Sequence, residues 1–143
     1  MRWLGLDFGT RRLGLAVSEQ QGWCARGLAT IVRRGGRHDL EAVTRLAREQ
    51  AVGALVVGLP RNMDGSEGRM ARLARDFAAR LGEHSGLPVH LWDERLSSFT
   101  ADEAMQRSGV KPARRKGLRD QVAAAVILED WLRAQAEQAE EEG

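Results

Sequence analysis

The chain has 143 residues, enough for one well-packed core and too few for two ordinary domains, so residues 1–136 are expected to form a single domain and the acidic tail 137–143 to fray. No apolar run reaches membrane-spanning length, the start Met1-Arg2-Trp3 lacks the profile of a secretory signal, and the lone Cys24 cannot make an intramolecular bridge and is expected to pack. These features exclude a membrane protein and a disulfide scaffold, and a cytoplasmic location is expected.

The formal charge is +2, but setting aside Glu137, Glu140, Glu141 and Glu142 raises it to +6 for the body of the chain. Of its 22 basic residues 20 are arginine, whose planar fork suits phosphate; because codon bias alone would give the same ratio, the placement of the charges carries more weight than their number.

Three strands are predicted first, at Arg2 to Phe8, Leu13 to Ser18 and about Arg26 to Arg33, with connections short enough for a meander. Leu40, Val43, Leu46 and Ala47 then recur at helical spacing behind Asp39, a plausible N-cap, and Gly53 is expected to end that helix before a buried strand at Ala54 to Val57. A second helix following Ser66 places Met70, Leu73, Phe77 and Leu81 on one face, and the strand Pro88 to Trp92 comes after it. Thr100 and Glu103 have capping-box spacing for a short helix ending near Gly109, and a last helix runs from about Leu118 into the tail. A meander extended by parallel strands gives an α/β protein with a mixed five-stranded sheet and helices on both faces.

Three acids stand where a carboxylate adds little to a fold. Asp7 ends the first apolar strand and opens a turn; alternation places it with Trp3 and Gly5 on a face that Gly14, Ala16 and Ser18 keep small, open to the close approach of a ligand or a helix. A turn-capping role for Asp7 is equally available. Asp120 shares a helix face with Ala123, Ala124, Ile127 and Trp131, although the first turn of a helix also favours an acid electrostatically. Asp93 and Glu94 leave the last strand together, and adjacent residues point to opposite sides, so one of the two faces the site; sequence alone leaves open which. Carboxylates converging from separate segments can hold Mg²⁺ or Mn²⁺ and drive phosphodiester hydrolysis, so the pattern points to a nuclease.

Candidate nucleic-acid contacts cluster near these acids. Lys111, Arg114, Arg115, Lys116 and Arg119 fall in a stretch interrupted by Pro112 and Gly117, predicted to be a mobile basic loop beside Asp120. Arg61 and Asn62 lie in the loop after the fourth strand, Arg95 follows Glu94, and Arg11 and Arg12 follow Asp7. There is no Walker-type loop or zinc spacing, and His38, His84 and His90 do not cluster. With no tyrosine and three phenylalanines a base-stacking platform is not expected; recognition should be of backbone and shape.

The motifs Leu6-Asp7-Phe8-Gly9-Thr10-Arg11-Arg12-Leu13-Gly14-Leu15-Ala16-Val17-Ser18, Val57-Gly58-Leu59-Pro60, Asp93-Glu94-Arg95-Leu96-Ser97 and Lys116-Gly117-Leu118-Arg119-Asp120 together resemble the YqgF family, also called RuvX, in order and over nearly the whole chain. The resemblance implies a ribonuclease H-like fold related to Holliday-junction resolvases of the RuvC type. It also implies a nuclease that matures the 5′ end of the 16S ribosomal RNA precursor, with branched DNA as a further substrate; the sequence itself leaves monomer and homodimer both open. Position by position it makes Asp7, Glu94 and Asp120 the catalytic and metal-binding acids. One departure stands out: Gly58 lies where RuvC-like enzymes carry a glutamate on the fourth strand, as if the acid had moved to the neighbouring strand. Two other readings remain, a non-catalytic nucleic-acid-binding factor in ribosome assembly and a nucleotide-binding module. The second rests on Asp7-Phe8-Gly9-Thr10, which also resembles the phosphate loop of sugar kinases and actin-like ATPases, but those proteins need a duplicated domain for which this chain has no length.

Overall fold

A computed structural model describes residues 1–142. Strands β1 (Arg2–Phe8), β2 (Arg12–Ser18) and β3 (Ala25–Val32) form the antiparallel meander; α1 (Gly36–Glu49), β4 (Val52–Leu59), α2 (Arg69–Ser85) and β5 (Val89–Asp93) follow. A single 3₁₀ turn at Glu94–Leu96, α3 (Ala101–Arg107) and α4 (Pro112–Glu142) complete the fold. The five strands lie in the order β3-β2-β1-β4-β5, with β4 parallel to both β1 and β5. No helix among the described residues is long and apolar enough to cross a membrane.

Strand alternation divides the molecule into two layers around the sheet. Leu4, Leu6, Leu13, Leu15, Leu55 and Val57 project to one side and bury against Leu40 and Val43 of α1 and Phe77 and Leu81 of α2. The opposite side carries Gly5, Asp7, Gly14, Val56 and Gly58, and α4 lies on it with Ile127 and Leu128 against Val56. That face must be small because the helix rides directly on it. A Cβ on Gly5 would come 2.7 Å from Leu128 Cβ and 2.8 Å from the Ala124 carbonyl, and one on Gly14 would overlap the backbone of Asp120.

Several expectations are corrected here. Residues 112–119 are helical, because α4 starts at Pro112, whose fixed φ suits the first helical position, and the exposed Gly117 costs only about 1 kcal/mol within so long a helix. The basic segment is therefore two helical turns, and the helix begins six residues before Leu118. At the other end α4 continues to Glu142, so residues 137–142 are helical where fraying was expected; Gly143 lies outside the described residues. Asp39 is no N-cap: it sits fully buried inside the first turn of α1 and accepts from the Arg34 amide at 3.0 Å and from Arg33 Nε at 3.1 Å. Ser66 is used by the preceding turn, where it donates to Asp64 and accepts from Asn62, so α2 opens only at Arg69. Cys24 is exposed in the β2–β3 connection rather than packed. The Thr100 cap holds as expected, its hydroxyl accepting from the Glu103 amide at 3.1 Å.

Candidate metal centre and nucleic-acid interface

β1 places Asp7 on the α4 side of the sheet, in register with Gly14 of β2. β5 ends with Asp93 beside Leu59, on the side of α1 and α2, and the 3₁₀ turn then returns Glu94 to the α4 side. The side chain absent at Gly58 is what makes room. A Cβ there would overlap the Glu94 carboxylate and lie 2.6 Å from Ile127 Cδ1, so the glutamate occupies the space that a side chain on the fourth strand would fill. Asp7 and Glu94 thus meet at one end of a cleft of about 290 Å³, whose walls include Ser97, Phe99, Ala123 and Ile127.

The two carboxyls are held together. Burial, and then the nearby charge of Asp120, push Asp7 from the usual 3.8 up to about 6, while a hydrogen bond from Glu94 works the other way. Burial, followed by the charge of Asp7 and the same hydrogen bond, takes Glu94 from 4.5 up to about 7. Two acids can bond to each other only if one keeps its proton. Near neutral pH the pair therefore shares one proton, with the Glu94 hydroxyl donating to Asp7, and it titrates as a unit.

Asp120 comes from α4 and approaches this pair, but its carboxylate accepts from Arg12 Nε at 2.8 Å and is 23% exposed. No three Asp, Glu, His or Cys side chains among the described residues are grouped closely enough to hold an ion as they stand. Asp93 faces elsewhere. Arg95 donates to it from its amide and from its guanidinium, down to 2.6 Å, and Arg61 stands 3.6 Å away, so Arg95 chiefly keeps its carboxyl below the usual range.

The expected nucleic-acid contacts divide accordingly. Arg61, Asn62 and Arg95 are engaged within the protein: Arg61 with Glu67 and Asp93, Asn62 with Ser66, and Arg95 with Asp93 and the Met63 carbonyl. They brace the β4–α2 loop against the end of β5. Arg119 pairs with Asp102 at 3.3 Å, and Arg115 donates to the Val110 carbonyl. Arg11, Lys111, Arg114 and Lys116 are exposed to solvent near the N-terminal end of α4 and the β1–β2 turn.

Two supports of the site are not anticipated from the sequence. Arg33 links the buried Asp39 to the Gly9 carbonyl at 3.1 Å and lies 4.5 Å over the ring of Phe8, fixing the turn that follows Asp7. The Asp39 carboxyl is held below its usual range: burial opposes the charge, but the Arg34 amide and the Arg33 guanidinium outweigh it. On the other wall, Asp130 of α4 accepts from the Ser98 amide at 2.9 Å and its hydroxyl at 3.1 Å, fixing the segment that carries Ser97, Phe99 and Thr100 along the cleft.

A family model described as RuvX, Holliday junction resolvase, matches residues 1–134. The chain belongs to the RuvX family. A relative from Anaeromyxobacter dehalogenans named "Putative pre-16S rRNA nuclease" is 52% identical over 92% of this chain and 96% of its own length. A Synechococcus elongatus relative of the same name is 46% identical over 94% of this chain and 90% of its own. Among solved structures, Thermus thermophilus RuvC superposes with a TM-score of 0.58 at 16% identity, covering 96% of this chain and 97% of that one. The fowlpox virus resolvase in complex with Holliday junction DNA gives 0.59 at 10%, covering 94% and 99%. At such identities the structures establish the fold, which for this RuvX chain is the ribonuclease H-like α/β fold.

Proposed function

We infer that this RuvX chain is a divalent-metal-dependent endonuclease of structured RNA, trimming the 5′ side of the 16S ribosomal RNA precursor in the cytoplasm. The observation that carries the reading is that Asp7 from β1 and Glu94 from the turn after β5, both half-buried, line one open cleft, where a cation would relieve the repulsion that raises both carboxyls. The donor chemistry fits Mg²⁺ or Mn²⁺, since both ligands are hard oxygens and their mutual repulsion is relieved by positive charge. Asp7 and Glu94 would hold the ion, with Asp120 joining when it leaves Arg12. A bound divalent ion supplies the charge that activates water and stabilises the departing oxygen.

The remaining work falls to this chain's own residues. Arg12, on leaving Asp120, is free to turn to the scissile phosphate. Arg11, Lys111, Arg114 and Lys116 would grip the flanking backbone, and Phe99 with Ile127 forms an apolar wall that limits water in the cleft. The Arg33–Asp39 bridge keeps the turn after Asp7 in place, so that the carboxylate does not swing away when the proton leaves.

Purified protein incubated with a 5′-extended 16S precursor RNA and with a four-way DNA junction, with and without Mn²⁺, tests this assignment. Metal-dependent cleavage of the RNA is expected, and faster than that of the junction. Tight RNA binding with no cleavage in Mn²⁺ or Mg²⁺ would instead assign the chain a non-catalytic role in ribosome assembly.

A further inference from the structure

Phe99 stands between two hollows on the α4 side of the sheet. With Val126 it lines the carboxylate cleft, and the same two side chains line an adjoining hollow of about 190 Å³, whose other walls include Ala104 and Arg107 of α3 and Glu129 and Arg133 of α4. The cleft and the hollow therefore open along successive turns of one helix, which rises by about 5.4 Å per turn: Ala123 and Ile127 face the first, Glu129 and Arg133 the second.

The gap follows from the way α3 is seated. That helix buries one residue, Met105, while Ala101 at the cleft and Ala104 at the hollow are too short to fill the space beside them. Two anchors keep the segment in place around the gap: Ser98 donates to buried Asp130 from its amide at 2.9 Å and its hydroxyl at 3.1 Å, and Met105 is 1% exposed.

Size and charge indicate the occupant. Pockets for drug-sized ligands begin at roughly 300 Å³, so the hollow suits a single planar ring system. Glu129 and Asp130 both line it, and two acids repel a phosphate but accept from the N–H groups of a base edge. Phosphate instead suits the exposed Arg107 and Arg133 at the rim. The Arg107 guanidinium lies 4.5 Å over the Phe99 ring and makes no ion pair among the described residues, so one face of the ring is covered by a cation that is free to leave. Bases stack on aromatic rings and on guanidinium planes alike. One ring makes no platform for successive bases, but it makes a pocket for one.

We propose that this hollow receives one unpaired base of the RNA strand beside the scissile phosphate, stacked on Phe99 in the place that Arg107 now holds, with Arg107 and Arg133 turning to the adjoining phosphate. The assignment rests on the nuclease reading for its ligand class. It gives the enzyme a preference for cutting next to single-stranded RNA, since a base held in a duplex must first be unpaired and unstacked to enter.

The test is fluorescence anisotropy of the full chain in EDTA with a labelled RNA stem carrying a single-stranded 5′ extension, in a series that removes one base of the extension at a time. Wild-type affinity should fall about tenfold at one position and change little elsewhere, as expected for a single base stacked on an aromatic side chain. Phe99→Leu, which keeps apolar bulk without the ring, should bind the intact RNA about tenfold more weakly and lose its sensitivity to that position, whereas Phe99→Tyr should keep both. The wild-type series needs no variant, so a poorly folded mutant does not mask the result. Equal losses at every position, no loss at any, or a Phe99→Leu protein that still senses the missing base overturns the pocket. Cleavage of the intact RNA by the wild type in Mn²⁺, read alongside, reports on the nuclease assignment separately: one sensitive position without cleavage would sink that assignment and leave the pocket, and cleavage without a sensitive position would do the reverse.

Discussion

Asp7 and Glu94 are placed so that folding brings two acids together partly away from water, which makes the metal-free protein sensitive to pH in a defined sense. Both groups are raised in the folded state, from 3.8 to about 6 and from 4.5 to about 7, so their protonated forms favour folding. That contribution is complete below about pH 4 and is lost as pH rises through 6 and 7; each pH unit that separates a folded from an unfolded value is worth roughly 1.4 kcal/mol. Asp39 and Asp93 are lowered and act in the opposite direction, but only in more acid solution. Thermal melts in EDTA should therefore show stability falling between about pH 4 and 7, with the fall reduced in Asp7→Asn; an equal fall in that variant would mean the pair is not the cause. Asp7 was legible in the sequence because a strand of alternating pattern ends on it beside small residues. The role of Asp39 was not, since an acid just before or just inside a first helical turn has the same sequence pattern whether it caps the turn or is buried against an arginine.

At the scale of elements, α4 does most to shape the site. Its close seat on the sheet depends on residues without side chains, and Gly14 is the tightest of them, because a Cβ would overlap the backbone of Asp120. Gly14→Ala is accordingly expected to destabilise the protein by about 1 to 3 kcal/mol, the usual cost of overpacking, and to displace Asp120 as well. A denaturant titration with an unchanged midpoint would count against the close docking. The small face and the two alanines beside Asp120 announced this packing in the sequence. What the sequence obscured was the start of α4: Pro112 and Gly117 read as breakers, yet Pro is well suited to a first helical position, and a lone exposed Gly is tolerated when long-range packing holds the rest of the helix. The bracing role of Arg61 and Arg95 was equally hidden, because basic residues beside a cleft look alike whether they face a ligand or an acid of the same protein.

Over the whole molecule, the order of strands and helices followed from hydrophobic period and turn residues alone, and the mixed sheet that results brings the ends of β1 and β5 to one edge of α4. The geometry also accounts for the absent acid on the fourth strand: Gly58 leaves the volume that Glu94 enters from β5. The choice between Asp93 and Glu94 could not be made from local pattern, since both leave the same strand end. In the folded chain Asp93 turns to Arg95 and Arg61, and Glu94 turns to Asp7. The decisive experiment compares the rate of Mn²⁺-dependent cleavage of 16S precursor RNA by the wild type, Glu94→Gln and Asp93→Asn, all checked by thermal melts for an intact fold. Glu94→Gln should abolish cleavage while Asp93→Asn keeps a measurable rate; the reverse ranking, or wild-type turnover in Glu94→Gln, would refute the assignment of Glu94 to the metal.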